Sequence, residues 1–353
     1  MSTHAQGRPL VSVVMANFNG GPYLAESIGS VRKQSLQDFE LIVADDASTD
    51  GSAGLIEEMC ALDPRIRLLR SDRNSGPAAA RNRAIDVARG EWIAVVDSDD
   101  RIHPTRLATL VAAATGDRAD LVADDLLEFP SDPAGPPRRL LCGQWARGPF
   151  WVDIVDYVRL NRLYGAGPAL GYLKPLMRRA ILHECRIRYD ETLKIAEDYN
   201  LVLRLLRLGK AMRVYPVPLY YYRKHVGSIS HRLSEDALAA IKASDVRFLA
   251  QVPPTERRLV TAMEERIESI DSALAYERLL SALKAGQWAL AAAIALKRPQ
   301  AAALLRLPIA VRLRRLVARR GREGVRGRPS PDADPVFGRD HGQERHPSSE
   351  AWR

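Results

Sequence analysis

The chain is poor in cysteine and in aromatic residues and has no long apolar run, and these shortages remove several classes of protein. Cys60, Cys142 and Cys185 are its three cysteines. Scattered and odd in number, they argue against a disulfide framework or a zinc site and fit a reducing cytosol. The longest uninterrupted apolar run towards the C-terminus, residues 288–296, is nine residues, well short of the roughly 20 that a spanning helix needs. No transmembrane helix is expected. Residues 1–8 are polar and run straight into a β-branched segment, so no signal peptide is expected before the fold. No Gly-x-Gly-x-x-Gly follows that first segment, which disfavours an NAD-dependent oxidoreductase.

What is present is a globular chain of 353 residues, 46% of them apolar, enough for one large α/β domain and a smaller appendage. Its net charge of +9 is local. Residues 297–328 hold eleven basic side chains against Glu323 alone, so this stretch carries +10 and the remainder −1. Basicity therefore belongs to a C-terminal device and not to the α/β region. Arginines alternating with Leu, Ile and Val favour an amphipathic element on an anionic cytoplasmic leaflet. Pro299 and Pro308 divide it into short helices. Nucleic-acid binding is disfavoured, because aromatic interleaving and recognised motifs are missing. A merely solvated basic face is the third reading.

Strand patterns at 11–15, 39–44, 66–69, 92–96 and 120–123 alternate with helical patterns at 22–34, 52–62 and 77–88. Such alternation implies right-handed βαβ units and a mostly parallel sheet. Residues 129–149, rich in Pro, Gly and Arg, suggest a long excursion or an edge hairpin. A buried amphipathic helix at 201–206 closes at Gly209, and a strand pair is expected around 212–214 and 219–222, before a polar loop at 223–231. From 233 onward the pattern is helical. Thr255 is a candidate N-cap, and Leu259, Met263, Ile267, Ile270 and Leu274 share a face. The expected organisation is a tail at 1–9, an α/β domain at 10–232, a basic helical extension at 233–320 and a disordered tail at 321–353.

The chemistry-bearing residues cluster after strands. Asp97-Ser98-Asp99-Asp100 follows the buried run at 92–96 and delivers three carboxylates to the sheet edge where open α/β folds bind ligands. Crowded carboxylates of this kind suit Mg²⁺ or Mn²⁺ bridging to phosphates, although a solvated, capping turn reads the same way. Residues 16–21, with Phe18, and residues 45–51, with Asp46, lie at that same edge. A ring and a carboxylate there suit a nucleobase, one stacking on its face and the other accepting an N–H from its edge. Asn74-Ser75-Gly76-Pro77 opens a helix whose N-terminus is a natural anion site, and Arg81 can add positive charge toward a diphosphate.

Taken in order, Val-Ser-Val-Val with Asn-Phe-Asn, Asp-Asp-Ala-Ser-Thr-Asp-Gly, Asn-Ser-Gly-Pro-Ala-Ala-Ala-Arg-Asn, Asp-Ser-Asp-Asp and Glu-Asp-Tyr resemble the family 2 inverting glycosyltransferases of GT-A fold. The resemblance spans residues 10–230. A finer likeness, through residues 171–175 and 196–200, is to exopolysaccharide-assembly enzymes of the succinoglycan type. The resemblance implies that Phe18 and Asp46 hold the uracil of a UDP-sugar and that Asp97 and Asp99 form an Asp-x-Asp pair near the ribose and metal. Asp99, with Asp100, would hold Mg²⁺ or Mn²⁺ on the diphosphate. Many relatives carry Tyr at the position of Phe18, so stacking survives here and a hydroxyl contact does not.

The resemblance makes Asp198 the candidate general base. Direct displacement at the anomeric carbon needs one carboxylate, opposite the departing nucleotide, to take the acceptor's proton. The metal stabilises the leaving group. Inversion would give a β-linkage from an α-linked donor. Read without the upstream motifs, Glu197-Asp198 is a capping pair for the next helix. The loop at 222–230 resembles a segment that closes over the donor in relatives, and brings Arg223 and His225 as candidates for the diphosphate or acceptor. The donor-binding set is therefore Ala16, Phe18, Asp46, Asn74, Gly76, Arg81, Asp97, Asp99, Arg223 and His225.

These readings converge on a metal-dependent hexosyltransferase. It would move glucose from UDP-glucose to a lipid-linked oligosaccharide, from the cytoplasm and peripheral to the inner face of the membrane. Transfer to a lipopolysaccharide core or capsule repeat is the neighbouring alternative. A non-catalytic nucleotide-sugar-binding protein is the alternative from another class.

Overall fold

A computed structural model describes residues 7–130, 136–225 and 233–306. Most of the basic segment, the expected tail at 321–353 and part of the loop at 223–231 lie outside the described residues. The first half comprises β1 (Val11–Asn17), α1 (Gly21–Arg32), β2 (Phe39–Asp45), α2 (Ser52–Leu62), β3 (Ile66–Arg70), α3 (Pro77–Val87), β4 (Trp92–Val95), β5 (Arg101–Ile102), α4 (Arg106–Gly116) and β6 (Leu121–Pro130). There follow β7 (Arg138–Arg139), β8 (Phe150–Trp151), α5 (Ile154–Leu160), β9 (Leu176–Arg178), α6 (Arg179–Glu184), α7 (Glu197–Arg207) and β10 (Met212–Lys224). The helical remainder is α8 (Glu235–Leu249), α9 (Arg257–Lys284), α10 (Trp288–Lys297) and α11 (Pro299–Ala303).

The strands form one mixed sheet in the order β3-β2-β1-β4-β9-β6-β10-β5, with β7 on β6 and β8 on β10. Its long pairings are parallel: β1 with β2, β3 with β2, β4 with β1, and β6 with β10. Strands β1 and β2 are buried almost throughout. Helices cover both faces of such a sheet, so these strands read as apolar runs without alternation. Parallel register sets Asn17 beside Asp45 and Val14 beside Val95. The loops after β1, β2 and β4 therefore open at one edge.

Two sequence expectations change here. The expected strand pair at 212–222 is one strand, β10, whose register on β6 shifts around Pro218. Pro216 and Pro218 suggest a turn; in the fold they occupy an irregularity that bends the strand without ending it. Helix α9 opens after Glu256 without a side-chain cap, so Thr255 is not its N-cap. At residues 129–149 the edge-hairpin reading applies to the described part, where β7 turns back antiparallel on β6.

The main core runs from β1 to Met263 and includes Phe248, Val252 and Leu259 from the helical remainder. Buried Arg266 ties α9 to Asp245 of α8 at 2.8 Å and to the carbonyl of Asn161, and lies 3.7 Å over the Tyr199 ring. Residues through Ala302 form one compact unit; Ala303 opens a second, described only as far as Arg306. No described helix is long and apolar enough to cross a membrane.

Candidate active site

The loops after β1, β2 and β4 line a cleft of about 1170 Å³ together with α3, residues 160–174, the start of α7 and His225. Its floor is built by local hydrogen bonds. Asn17 Nδ2 donates to Asp45 Oδ1 at 2.8 Å and to Ser48 Oγ at 3.1 Å, locking the first two loops together. A Cβ on Gly20 would lie 2.3 Å from Asn17 Oδ1, so a side chain there would displace the Asn17 amide that joins the two loops. Phe18 projects from this loop, half exposed, into the cleft.

Asp46 is buried. Its Oδ2 accepts from the backbone N–H groups of Ser75 at 2.9 Å and Gly76 at 2.7 Å, and its Oδ1 from Arg83 Nη2 at 2.9 Å. The two N–H groups that lead into α3 are thus taken by the protein's own carboxylate, while residues 74–78 line the cleft. A carboxylate accepts about four hydrogen bonds, so Asp46 keeps room for one further donor. Gly76, at φ +91°, supplies the turn that aims both N–H groups.

Behind this edge runs a ladder of charges. Arg81 Nη1 donates to Glu197 Oε1 at 2.6 Å and Nη2 to Asp97 Oδ1 at 2.7 Å. Lys174 Nζ lies 2.8 Å from Asp97 Oδ2 and 2.5 Å from Asp198 Oδ2. Arg81 lines the cleft with both terminal nitrogens engaged by carboxylates, and so joins α3 to α7 and to the loop after β4. Burial opposes the charge on Asp97, yet Lys174 and Arg81 overcome it and hold its carboxyl well below the usual range. Burial likewise opposes the charge on Lys174, and Asp198 and Asp97 reverse that effect. Burial and the neighbouring Asp198 push Glu197 upward, against the pull of Arg81.

Two features carry Asp198 into the cleft. Ala196 adopts left-handed backbone, φ 66°, immediately before α7. A non-glycine residue in this region costs about 1–3 kcal/mol and persists where the surroundings over-determine it. The partner, Lys174, is held in turn: its carbonyl accepts from Arg106 Nη2 at 2.6 Å, and Arg106 is paired with Asp124 in full burial. Lys174 and Glu197 were not among the sequence candidates. A single lysine between Leu173 and Pro175 carries no local pattern, and only the tertiary fold shows its two partners.

Asp99 and Asp100 have different fates. Asp99 faces the cleft, one-third exposed, with Oδ2 2.9 Å from His225 Nε2. Asp100 is fully buried: Oδ2 accepts from the Tyr220 hydroxyl at 2.8 Å and Oδ1 from the Arg223 N–H at 2.7 Å. Burial, then Asp99 and Asp97, push its pKa well up. Asp100 thus ties β10 to the β4 loop and does not reach the cleft, which corrects its expected role as a metal ligand. Arg223 is also corrected. Its Nε donates to the Asp99 carbonyl at 2.8 Å, its Nη2 to Glu26, and its guanidinium stacks 4.7 Å from both Tyr23 and Phe129, so that it backs the cleft wall and does not itself line the cleft. Ala16, Asn74, Gly76 and His225 do line the cleft.

Among the described residues no three His, Cys, Asp or Glu side chains gather as a metal cage. Asp99 with His225 offers one oxygen and one nitrogen donor, a set that fits a divalent cation whose remaining ligands are substrate oxygens and water.

The sequence matches the family model "Glycosyl transferase family 2" over residues 12–182. It is 35% identical over 312 residues to the succinoglycan biosynthesis protein ExoO of Rhizobium meliloti (strain 1021), covering 88% of each chain. The chain belongs to glycosyltransferase family 2. Its fold is GT-A: a structure of S. aureus TarS (1–349) in complex with UDP-GlcNAc superposes with TM-score 0.55 at 21% identity, over 82% of this chain and 91% of that one. The Pyrobaculum calidifontis mannosyltransferase PcManGT, in complex with GDP-Man and Mn²⁺, gives TM-score 0.50 at 20% identity, over 84% and 83%. As a family 2 glycosyltransferase, this chain has the loops after β1, β2 and β4 and the start of α7 on one cleft.

Proposed function

We propose that this glycosyltransferase moves glucose from UDP-glucose onto a lipid-linked oligosaccharide in exopolysaccharide assembly, with inversion, working at the inner face of the membrane. The observation that carries the reading is that Phe18, Asp46, Asp99 and Asp198, far apart in sequence, line one cleft. At about 1170 Å³ it exceeds the roughly 300–1,000 Å³ of common ligand pockets and has room for a nucleotide-sugar and the end of an acceptor. The ExoO likeness over 88% of the chain supports exopolysaccharide as the product, and the TarS complex supports a uridine nucleotide as the carrier.

Phe18 stacks on the uracil, while Asp46 accepts an N–H from its edge through its remaining lone pair. Ala16, Asn74 and Gly76 form the surrounding wall, and Asp97 faces the ribose. Asp99 and His225 would hold Mg²⁺ or Mn²⁺, which would supply positive charge toward the UDP leaving group. Asp198 takes the proton from the acceptor hydroxyl as its oxygen attacks the anomeric carbon; the new C–O bond forms as the bond to UDP breaks. Lys174 fixes the Asp198 rotamer, and the ladder behind it sets the distance between the two sides of the cleft.

A screen of radiolabelled UDP-sugars with extracted lipid-linked intermediates tests the reading. Label from UDP-glucose entering the lipid fraction, with β-configuration, is the expected result. UDP-sugar binding without transfer to any acceptor would favour a non-catalytic binding protein. Transfer to lipopolysaccharide core or capsule intermediates would replace the proposed product.

A further inference from the structure

We propose that α10 is the element that docks this chain on an anionic lipid surface, beside the rim of the cleft. Helix α10 reads Trp-Ala-Leu-Ala-Ala-Ala-Ile-Ala-Leu-Lys, and Ala291 is its one buried residue. Trp288 is 70% exposed, Leu290 50% and Leu296 84%. Ala291, Ile294, Ala295 and Arg298 recur at helical spacing with reduced exposure, and Arg298 bonds to Glu268 and lies 3.9 Å from Asp271, both on α9. That stripe holds the helix to α9. The outward face, from Trp288 to Leu296, carries no charge. Single exposed leucines are ordinary on protein surfaces, but a continuous apolar helix face is not.

Its location gives the face a use. The stretch of α9 that receives Arg298 also holds the cleft rim: Ser269 Oγ accepts from the Leu163 N–H at 3.1 Å, Glu265 pairs with Arg162 at 3.3 Å, and the Tyr276 ring packs 5.9 Å from Tyr164. Arg162, Leu163 and Tyr164 line the cleft. A surface engaged by α10 is therefore engaged next to the entrance for an acceptor, which gives the docking its purpose if the acceptor is lipid-linked, as proposed above.

Charge identifies the occupant. The helix ends in Lys297, and from there to Arg328 the sequence holds eleven basic residues against one acid. An apolar face with a terminal tryptophan, followed in the sequence by a block of positive charge, matches the interface of an anionic bilayer, where apolar side chains enter the acyl boundary and basic ones meet the headgroups. A second copy of the chain would bring a second +10 segment against the first, which repels.

The test uses the full chain and extruded vesicles of phosphatidylcholine alone or mixed equally with phosphatidylglycerol, without donor or acceptor, so that the result is independent of the transfer reaction. Co-sedimentation should favour the mixed vesicles. The double variant Leu290→Glu/Leu296→Glu should lower that partition by about tenfold or more, with an unchanged thermal midpoint, and Trp288→Ala should lower it less. Several results would overturn the proposal: no binding by the unaltered chain, or binding that survives the double variant, which would leave arginine charge alone responsible. Self-association of the unaltered chain that the double variant abolishes would make a second copy the occupant. A lowered midpoint with vesicle binding intact would show that the chain's own C-terminal residues cover α10.

Discussion

Lys174 Nζ stands 2.5 Å from Asp198 Oδ2 and 2.8 Å from Asp97 Oδ2, so one buried ammonium ties the loop after β4 to the start of α7. Replacing it with methionine leaves Asp198 with no cation at hydrogen-bond distance among the described residues. Removing one partner of a buried pair costs about 3–5 kcal/mol, and misplacing a catalytic group costs on the order of 100-fold in rate. Lys174→Met should therefore lower both the thermal midpoint and kcat. Adding Asp198→Asn to Lys174→Met should recover part of the stability and none of the activity. Calorimetric melting of the single and double variants beside transfer rates checks this.

Asp99 and Asp100 are adjacent in sequence, and their substitution should fail in different ways. Asp99→Asn should leave the fold intact and raise the Mn²⁺ concentration needed for half-maximal transfer by about tenfold or more, as loss of a charged ligand does. Asp100→Asn puts an NH2 donor in place of one of the two oxygens that accept from Tyr220 and Arg223, so its first effect should be on melting. Chelation with EDTA should stop transfer by the unaltered chain, and added Mn²⁺ or Mg²⁺ should restore it.

Phe18 is half exposed with no ring partner among the described aromatic contacts. Phe18→Ala should weaken UDP binding by about 1–2 kcal/mol, or roughly tenfold, from lost stacking, with melting unchanged. Titration calorimetry with UDP measures it. Phe18→Tyr should keep the affinity.

Asp63 offers a pH prediction away from the site. Hydrogen bonds from Arg65 outweigh burial and, with Arg32, lower its pKa from 3.8 to about 2. A carboxyl lowered in the folded state stabilises above its unfolded pKa and loses that contribution as pH falls through the folded value. Because both arginines are partly in water, its contribution is about 1–2 kcal/mol, less than the shift alone implies. Asp63→Asn should lower stability at neutral pH, and the gap to the unaltered chain should close between about pH 4 and 2. Denaturant melts across that range test it.

The sequence exposed the parts of the site that end long elements. β1, β2 and β4 are apolar runs followed by polar turns, so Phe18, Asp46 and Asp99 could be assigned to one edge before any coordinates. Short antiparallel pieces were hidden: β9, three residues long, has no periodicity to read, yet it sits between β4 and β6 and makes the sheet mixed. Partners across the fold were equally hidden. The residue type of Asp100 and the family resemblance at Arg223 suit ligand binding, but the fold pairs them with Tyr220 and Glu26. Lys174 acquires its role only because the fold carries it between Asp97 and Asp198.

Asp198 is proposed to remove the acceptor's proton in a cleft that binds the donor through other residues. Transfer of labelled sugar by Asp198→Asn, measured beside calorimetric binding of UDP to the same protein, tests it most directly. The account predicts UDP affinity within about twofold of the unaltered chain and transfer reduced by about 10³-fold or more, as expected for loss of a general base with its proton-accepting charge. Transfer within about tenfold of the unaltered rate would contradict it.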